Sequence, residues 1–205
     1  TIDGSWQDSN IQNSQEWNKL VWMENMGQWV AISVSSDKND VALCGADNTT
    51  WTMAPLPGSN VNNGIAYGND NVVIVSGSGD ISKRIYYSPD GTNWSSPVVP
   101  TTAQYNSVAY GGGKFVAVGS TGNPRVAYSA DGDTWTPVSY GADKVWEDVI
   151  YADGKFLAVG TNAVMTSTDG ITWLDESGTI SAADWKSVAY GSDLFVAVST
   201  NSTSA

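Results

Sequence analysis

Ser129-Ala130-Asp131-Gly132-Asp133-Thr134-Trp135 decides the fold, because it keeps returning. It stands earlier as Ser88-Pro89-Asp90-Gly91-Thr92-Asn93-Trp94 and later as Ser167-Thr168-Asp169-Gly170-Ile171-Thr172-Trp173. A worn copy, Gly45-Ala46-Asp47-Asn48-Thr49-Thr50-Trp51, precedes these, and half a copy, Thr1-Ile2-Asp3-Gly4-Ser5-Trp6, opens the chain. The aspartates step by 44, 43, 41 and 38 residues, and running off the C-terminus and back in at Thr1 reaches Asp3 after 39 more. A period of this length marks a repeat architecture in which each copy is one supersecondary unit.

A second phrase keeps the same time. Trp17-Asn18-Lys19-Leu20-Val21-Trp22 aligns with Asn62-Asn63-Gly64-Ile65-Ala66-Tyr67 and Tyr105-Asn106-Ser107-Val108-Ala109-Tyr110. It aligns again with Trp146-Glu147-Asp148-Val149-Ile150-Tyr151 and Trp185-Lys186-Ser187-Val188-Ala189-Tyr190. A turn and a short apolar run follow each copy, such as Phe115-Val116-Ala117-Val118. Short β-branched and aromatic runs punctuated by Gly, Asn and Asp read as strands and hairpins. Each unit becomes four antiparallel strands, and such units around an axis make a β-propeller. The expected fold is all-β: a single five-bladed propeller closed by an N-terminal segment that completes the last blade. Its repeats run 17–59, 60–103, 104–144, 145–183, and 184–205 plus 1–16, in one domain.

Composition narrows the function. The 205 residues carry a net charge of −12, with nine Lys and Arg against 21 Asp and Glu. The nine cations do not cluster, so the footprint of nucleic-acid binding is missing. No apolar stretch is long enough to span a bilayer, and no signal leader is visible, so no membrane insertion is expected. Histidine is absent, which removes the commonest general base and metal ligand together. The single cysteine, Cys44, cannot form an internal disulfide and reads as a buried thiol. No metal-ligand spacing, phosphate loop or nucleophile elbow occurs, so no catalytic residue, metal or cofactor is expected.

In the recurring phrase, the Asp side chain can accept N–H groups two residues on, and Gly supplies the positive φ of a tight turn. Asp3, Asp47, Asp90, Asp131 and Asp169 are therefore expected to lock hairpins. The phrase resembles the Asp-box, or BNR repeat, Ser-x-Asp-x-Gly-x-Thr-Trp, on the hairpin between the third and fourth strands of a propeller blade. Here the spacer between Asp and Gly is missing, and this variant resembles repeats of bacterial and bacteriophage propellers more than those of sialidases. The arginine triad that the sialidase resemblance would imply cannot be built from Arg84 and Arg125 alone.

The resemblance to phage tail propellers implies a non-catalytic structural and adhesive module of a virion: a tail-fibre, receptor-binding or head-fibre protein. Its partners would be a host-surface glycan or receptor, or other virion proteins, with oligomerisation allowed and a virion or extracellular location. The alternative is a soluble multivalent lectin. All ten tryptophans fall on the repeat lattice, which favours packing between blades. The position ahead of each first strand, Trp17, Asn62, Tyr105, Trp146 and Trp185, is the candidate ligand-binding ring. Its neighbours are Asn18, Asn63, Asn106, Glu147 and Lys186. Exposed aromatics beside amides and charges suit a recognition surface.

Overall fold

The computed structural model describes residues 16–34, 40–45, 50–99, 101–140 and 144–202. They form five antiparallel sheets in chain order. The first holds β1 (Trp17–Met23), β2 (Gln28–Ser33), β3 (Asp40–Gly45) and β4 (Trp51–Pro55). The second holds β5 (Asn62–Gly68), β6 (Asn71–Ser76) and β7 (Ile85–Ser88). The third holds β8 (Gln104–Gly111), β9 (Lys114–Thr121), β10 (Val126–Ser129) and β11 (Thr136–Val138). The fourth holds β12 (Trp146–Ala152), β13 (Lys155–Gly160), β14 (Ala163–Ser167) and β15 (Leu174–Asp175). The fifth holds only β16 (Ala183–Gly191) and β17 (Leu194–Ser202).

The first two strands of most sheets meet in a two-residue hairpin that needs two positive φ angles. Asn69 and Asp70, Gly112 and Gly113, Asp153 and Gly154, and Ser192 and Asp193 supply them. These types tolerate the left-handed region best, and such turns match the twist of the strands they join. Every first strand also shifts register at the same repeat position, between Trp17 and Lys19, Asn62 and Gly64, Tyr105 and Ser107, Trp146 and Asp148, and Trp185 and Ser187, and β8 and β16 shift a second time just before it. A bulge of this kind re-aims a side chain.

Neighbouring sheets stack face to face, with their first strands side by side. Alternation along each strand gives every sheet two unlike apolar faces. One face is aliphatic and smooth, and the next sheet meets it with an aromatic face. Val73, Val75 and Ile85 of the second sheet pack on Tyr110, Phe115 and Trp135 of the third. Val116, Val118 and Val126 of the third pack on Tyr151, Phe156 and Trp173 of the fourth. The tyrosine is paired across its hairpin with the phenylalanine, at ring-centroid distances of 4.7 Å for Tyr110–Phe115 and 4.8 Å for Tyr151–Phe156. Burying one such side chain contributes about 1.5–3 kcal/mol, so a few contacts per interface hold the stack.

Glycine sets how closely the sheets approach. A Cβ built on Gly68 would overlap the ring of Tyr110, and one on Gly111 would overlap Tyr151. The last glycines of β5 and β8 are thus the seats for the tyrosines of the third and fourth sheets; β1 and β12 end instead in Met23 and Ala152.

The closed five-bladed ring is overturned. The fifth sheet has two strands and packs against the fourth, and among the described residues it makes no comparable contact with the first. Its second face is bare: Leu194, Val196 and Val198 are 64%, 58% and 60% exposed. Residues 1–15, expected to complete that sheet, lie outside the described residues, as does Ala205. The repeat count does give the number of sheets. Closure depends instead on the angle between neighbours, which the side chains at each interface set and a period does not encode.

The seat generates a test. Gly111→Ala should destabilise the protein by about 1–3 kcal/mol through overpacking, read from the denaturant midpoint. Gly178→Ala, where an added Cβ meets nothing within 4 Å, should change it little. Combining Gly111→Ala with Tyr151→Ala should cost less than the two added together, since the clash disappears with the ring.

Candidate functional site

The recurring turns form as their residues dictate. In the third sheet, Asp131 Oδ1 accepts the N–H groups of Asp133 at 3.0 Å and Thr134 at 2.8 Å. The buried Ser129 hydroxyl donates to the same carboxylate at 3.0 Å and accepts the Gly132 N–H at 2.8 Å. The Trp135 indole then donates to the Gly132 carbonyl at 2.8 Å. The Asp90 turn repeats all these bonds, and the Asp169 turn repeats those to its aspartate and serine. Asp3 and Asp47 lie outside the described residues.

Gly132 does a second thing besides adopting φ +84°: a Cβ there would stand 2.8 Å from Val73 Cγ2 of the preceding sheet. Asn71 Nδ2 of that sheet donates to the Asp131 carbonyl at 3.2 Å, and Gln28 Nε2 likewise reaches the Asp90 carbonyl at 2.9 Å. The turns are therefore clasped by the neighbouring sheet.

These bonds fix the charge of the carboxylates. The N–H groups of Thr172 and Ile171 hold Asp169 down at about 2, from an ordinary 3.8. Burial works against ionisation of Asp90, yet the Asn93 backbone and side-chain amides, with the Thr92 N–H, outweigh it and depress the carboxyl strongly. Asp131 is lowered in the same way: burial opposes, and the Thr134 N–H and Ser129 hydroxyl prevail.

The five positions ahead of the first strands do not come out onto one surface. Asn62 and Tyr105 are fully buried and Trp146 is 2% exposed, while Trp17 and Trp185 are half-buried. Asn62 is held between sheets, its Nδ2 donating to the Ser33 carbonyl at 3.3 Å and its Oδ1 accepting from Ser76 at 2.9 Å. The Tyr105 hydroxyl lies 2.9 Å from Thr101 Oγ1, and burial pushes it up to about 12. A continuous ring of exposed aromatics is therefore not formed.

The neighbouring series has a different task. The bulge turns Asn63 toward the next sheet, where Nδ2 donates to the Tyr105 carbonyl at 2.9 Å, and Asn106 does the same to the Trp146 carbonyl at 2.8 Å. At the next step the contact becomes an ion pair, Lys186 Nζ to Glu147 Oε1 at 2.5 Å.

Sequence reasoning did not single out Asp148. Its Oδ1 accepts from Ser107 Oγ of the third sheet at 2.8 Å. Its Oδ2 accepts from Ser187 Oγ at 2.9 Å and the Val188 N–H at 3.0 Å in the fifth. The signal was present, since Ser107, Asp148 and Ser187 share one repeat position. Arg84 was missed as well. It is 6% exposed, and its Nη1 donates to the Gly77 carbonyl and, at 3.4 Å, to that of Ala103. Nothing in the sequence around Arg84 marks it as buried. Among the described residues, no three His, Cys, Asp or Glu side chains gather as a metal site.

No family model and no curated protein matches this chain. Solved structures do, and they are β-propeller-like. Virginiamycin B lyase from Staphylococcus aureus is similar at a TM-score of 0.79 and 12% identity, over 97% of this chain and 68% of that one. A catalytically inactive variant of that lyase, with a histidine replaced by alanine and with quinupristin, gives 0.77 and 12%, over 91% and 64%. YCF48 bound to D1 peptide gives 0.63 and 16%, over 89% and 59%. This chain is thus shorter than each of them, and at such identities the likeness shows the fold alone.

Two outcomes follow. A carboxyl lowered in the folded state contributes stability that is present above its ordinary value and lost as pH falls toward its folded value. Thermal stability should therefore drop between about pH 4 and pH 2. Asp169→Asn should be less stable at neutral pH and show a shallower drop than wild type. Asp148→Ala should cost about 1–3 kcal/mol, because it leaves the donors of buried Ser107 and Val188 unpaired. Hydrogen exchange should report that loss first in β16 and β17.

Proposed function

We propose that this chain is a non-catalytic attachment module of a bacteriophage virion, in a tail-fibre, receptor-binding or head-fibre protein. It would hold a host-surface glycan or receptor, or another virion protein, at a virion or extracellular location. One observation carries the non-catalytic part: the motif carboxylates are occupied by the N–H groups of their own turns. A carboxyl held ionised by such bonds has no proton to give near neutral pH. The resemblance of the repeated phrase to the Asp-box variant of phage propellers carries the virion part.

The neighbouring structures bear on this from two sides. The lyase variant lost catalysis with a histidine, and this chain contains no histidine. YCF48 is bound to a peptide, so a propeller-like neighbour serves recognition. The lectin alternative calls for similar sugar sites in most repeats, whereas Asn62, Tyr105 and Trp146 are buried.

Immobilised protein exposed to a panel of bacterial cells should retain a restricted set of strains. Incubation with quinupristin should leave the mass of that compound unchanged. Conversion of quinupristin would overturn the non-catalytic reading. Binding to soluble glycans with no retention of any cell would favour the lectin.

A further inference from the structure

Among the described residues, every interface between neighbouring sheets joins an aliphatic face to an aromatic one, and the first and fifth sheets each leave one of these faces uncovered. On the fifth sheet it is the aliphatic face. Ala189, Gly191, Val196 and Val198 stand at the repeat positions of Ala109, Gly111, Val116 and Val118 in the third sheet. The latter four are buried beneath the fourth sheet. Val116 and Val118 are fully buried, against 58% and 60% exposure for Val196 and Val198. The tyrosine seat is vacant too: a Cβ on Gly191 would meet nothing within 4 Å, whereas on Gly68 and Gly111 it would overlap the next tyrosine.

The first sheet carries the complementary face. By register, Leu20 and Trp22 of β1 point away from the second sheet, at the positions where Ile65 and Tyr67 meet the first. Trp22 takes the place of the tyrosine and stacks edge-on against Trp29, its cross-strand partner, at 5.2 Å. That is the same hairpin pairing that Tyr110–Phe115 and Tyr151–Phe156 make inside the stack. Leu20 is 57% exposed.

We propose that the face of Gly191, Val196 and Val198 docks the Leu20–Trp22 face of a second copy of this chain, so that copies associate head to tail. The contact would continue the pattern of the internal interfaces, with Trp22 seated over Gly191 as Tyr151 is seated over Gly111. Contiguous exposed apolar surface of this kind marks an interaction site on a soluble protein. An interface between two different faces is heterologous, so copies add until a ring closes, or without limit as a filament, unless one face is blocked. The inference goes beyond attachment to a host, and its failure would leave that reading standing.

Sedimentation of the full chain over a range of concentrations tests it. The weight-average mass should rise to at least twice that of one chain. Val196→Asp and Leu20→Asp both alter exposed side chains, so thermal unfolding should show each still folded, and each alone should remain monomeric. Mixed in equal amounts, the two variants should form a dimer and stop there, because each supplies the face that the other has lost. Val198→Asp should behave as Val196→Asp does. A wild-type chain that stays monomeric throughout, or mixed variants that fail to pair, would overturn the proposal.

Discussion

The closeness of one tyrosine ring to one glycine controls this structure. Tyr110 over Gly68 and Tyr151 over Gly111 bring the first strands of the second, third and fourth sheets together at a distance that a side chain at either seat would not allow. Once they are that near, other groups come within reach. Asn63 and Asn106 can touch the next backbone, Asp148 can span two serines, and the turn glycines can lie on the preceding sheet. A wider spacing would leave each of these groups to water and reduce the interface to apolar contact alone.

Carboxylates are used in two ways, both internal. Those of the recurring turns hold a hairpin in shape, and their low affinity for protons follows from the N–H groups around them. Asp148 instead ties three sheets at the level of their first strands. With nine cations against 21 acids, the chain has few opposite charges to spend on such ties, and among the described residues it spends Lys186 on Glu147. The remaining acids favour solubility.

Much of the fold was legible because a repeat shows itself at every copy. Five copies of Asp131-Gly132 and its kin gave the number of sheets, and the three described ones the turn chemistry; the four strands expected of each unit are overturned in the second sheet, which has three, and the fifth, which has two. Closure was not legible, since it depends on an angle that no period records. The uneven burial of the candidate ring was not legible either. Trp17, Asn62, Tyr105, Trp146 and Trp185 occupy one position in the repeat, yet the middle three are buried and the outer two half-buried, a difference that their shared position does not encode. Asp148 shows the opposite case. Alone it carries no signal, while beside Ser107 and Ser187 at the same position it announces a bridge.

The polar contacts across the interfaces have a consequence for assembly during synthesis. Near-identical repeats invite mispairing, because any aliphatic face can accept any aromatic one. The asparagine-to-carbonyl contact at Asn63 and Asn106 would tolerate such an exchange. Glu147 with Lys186, and Asp148 between Ser107 and Ser187, would not: placed elsewhere in the stack, each would leave a charge without its partner. Divergence at these positions therefore acts as an address, directing the fourth and fifth units to their own places while the apolar faces supply adhesion without discrimination.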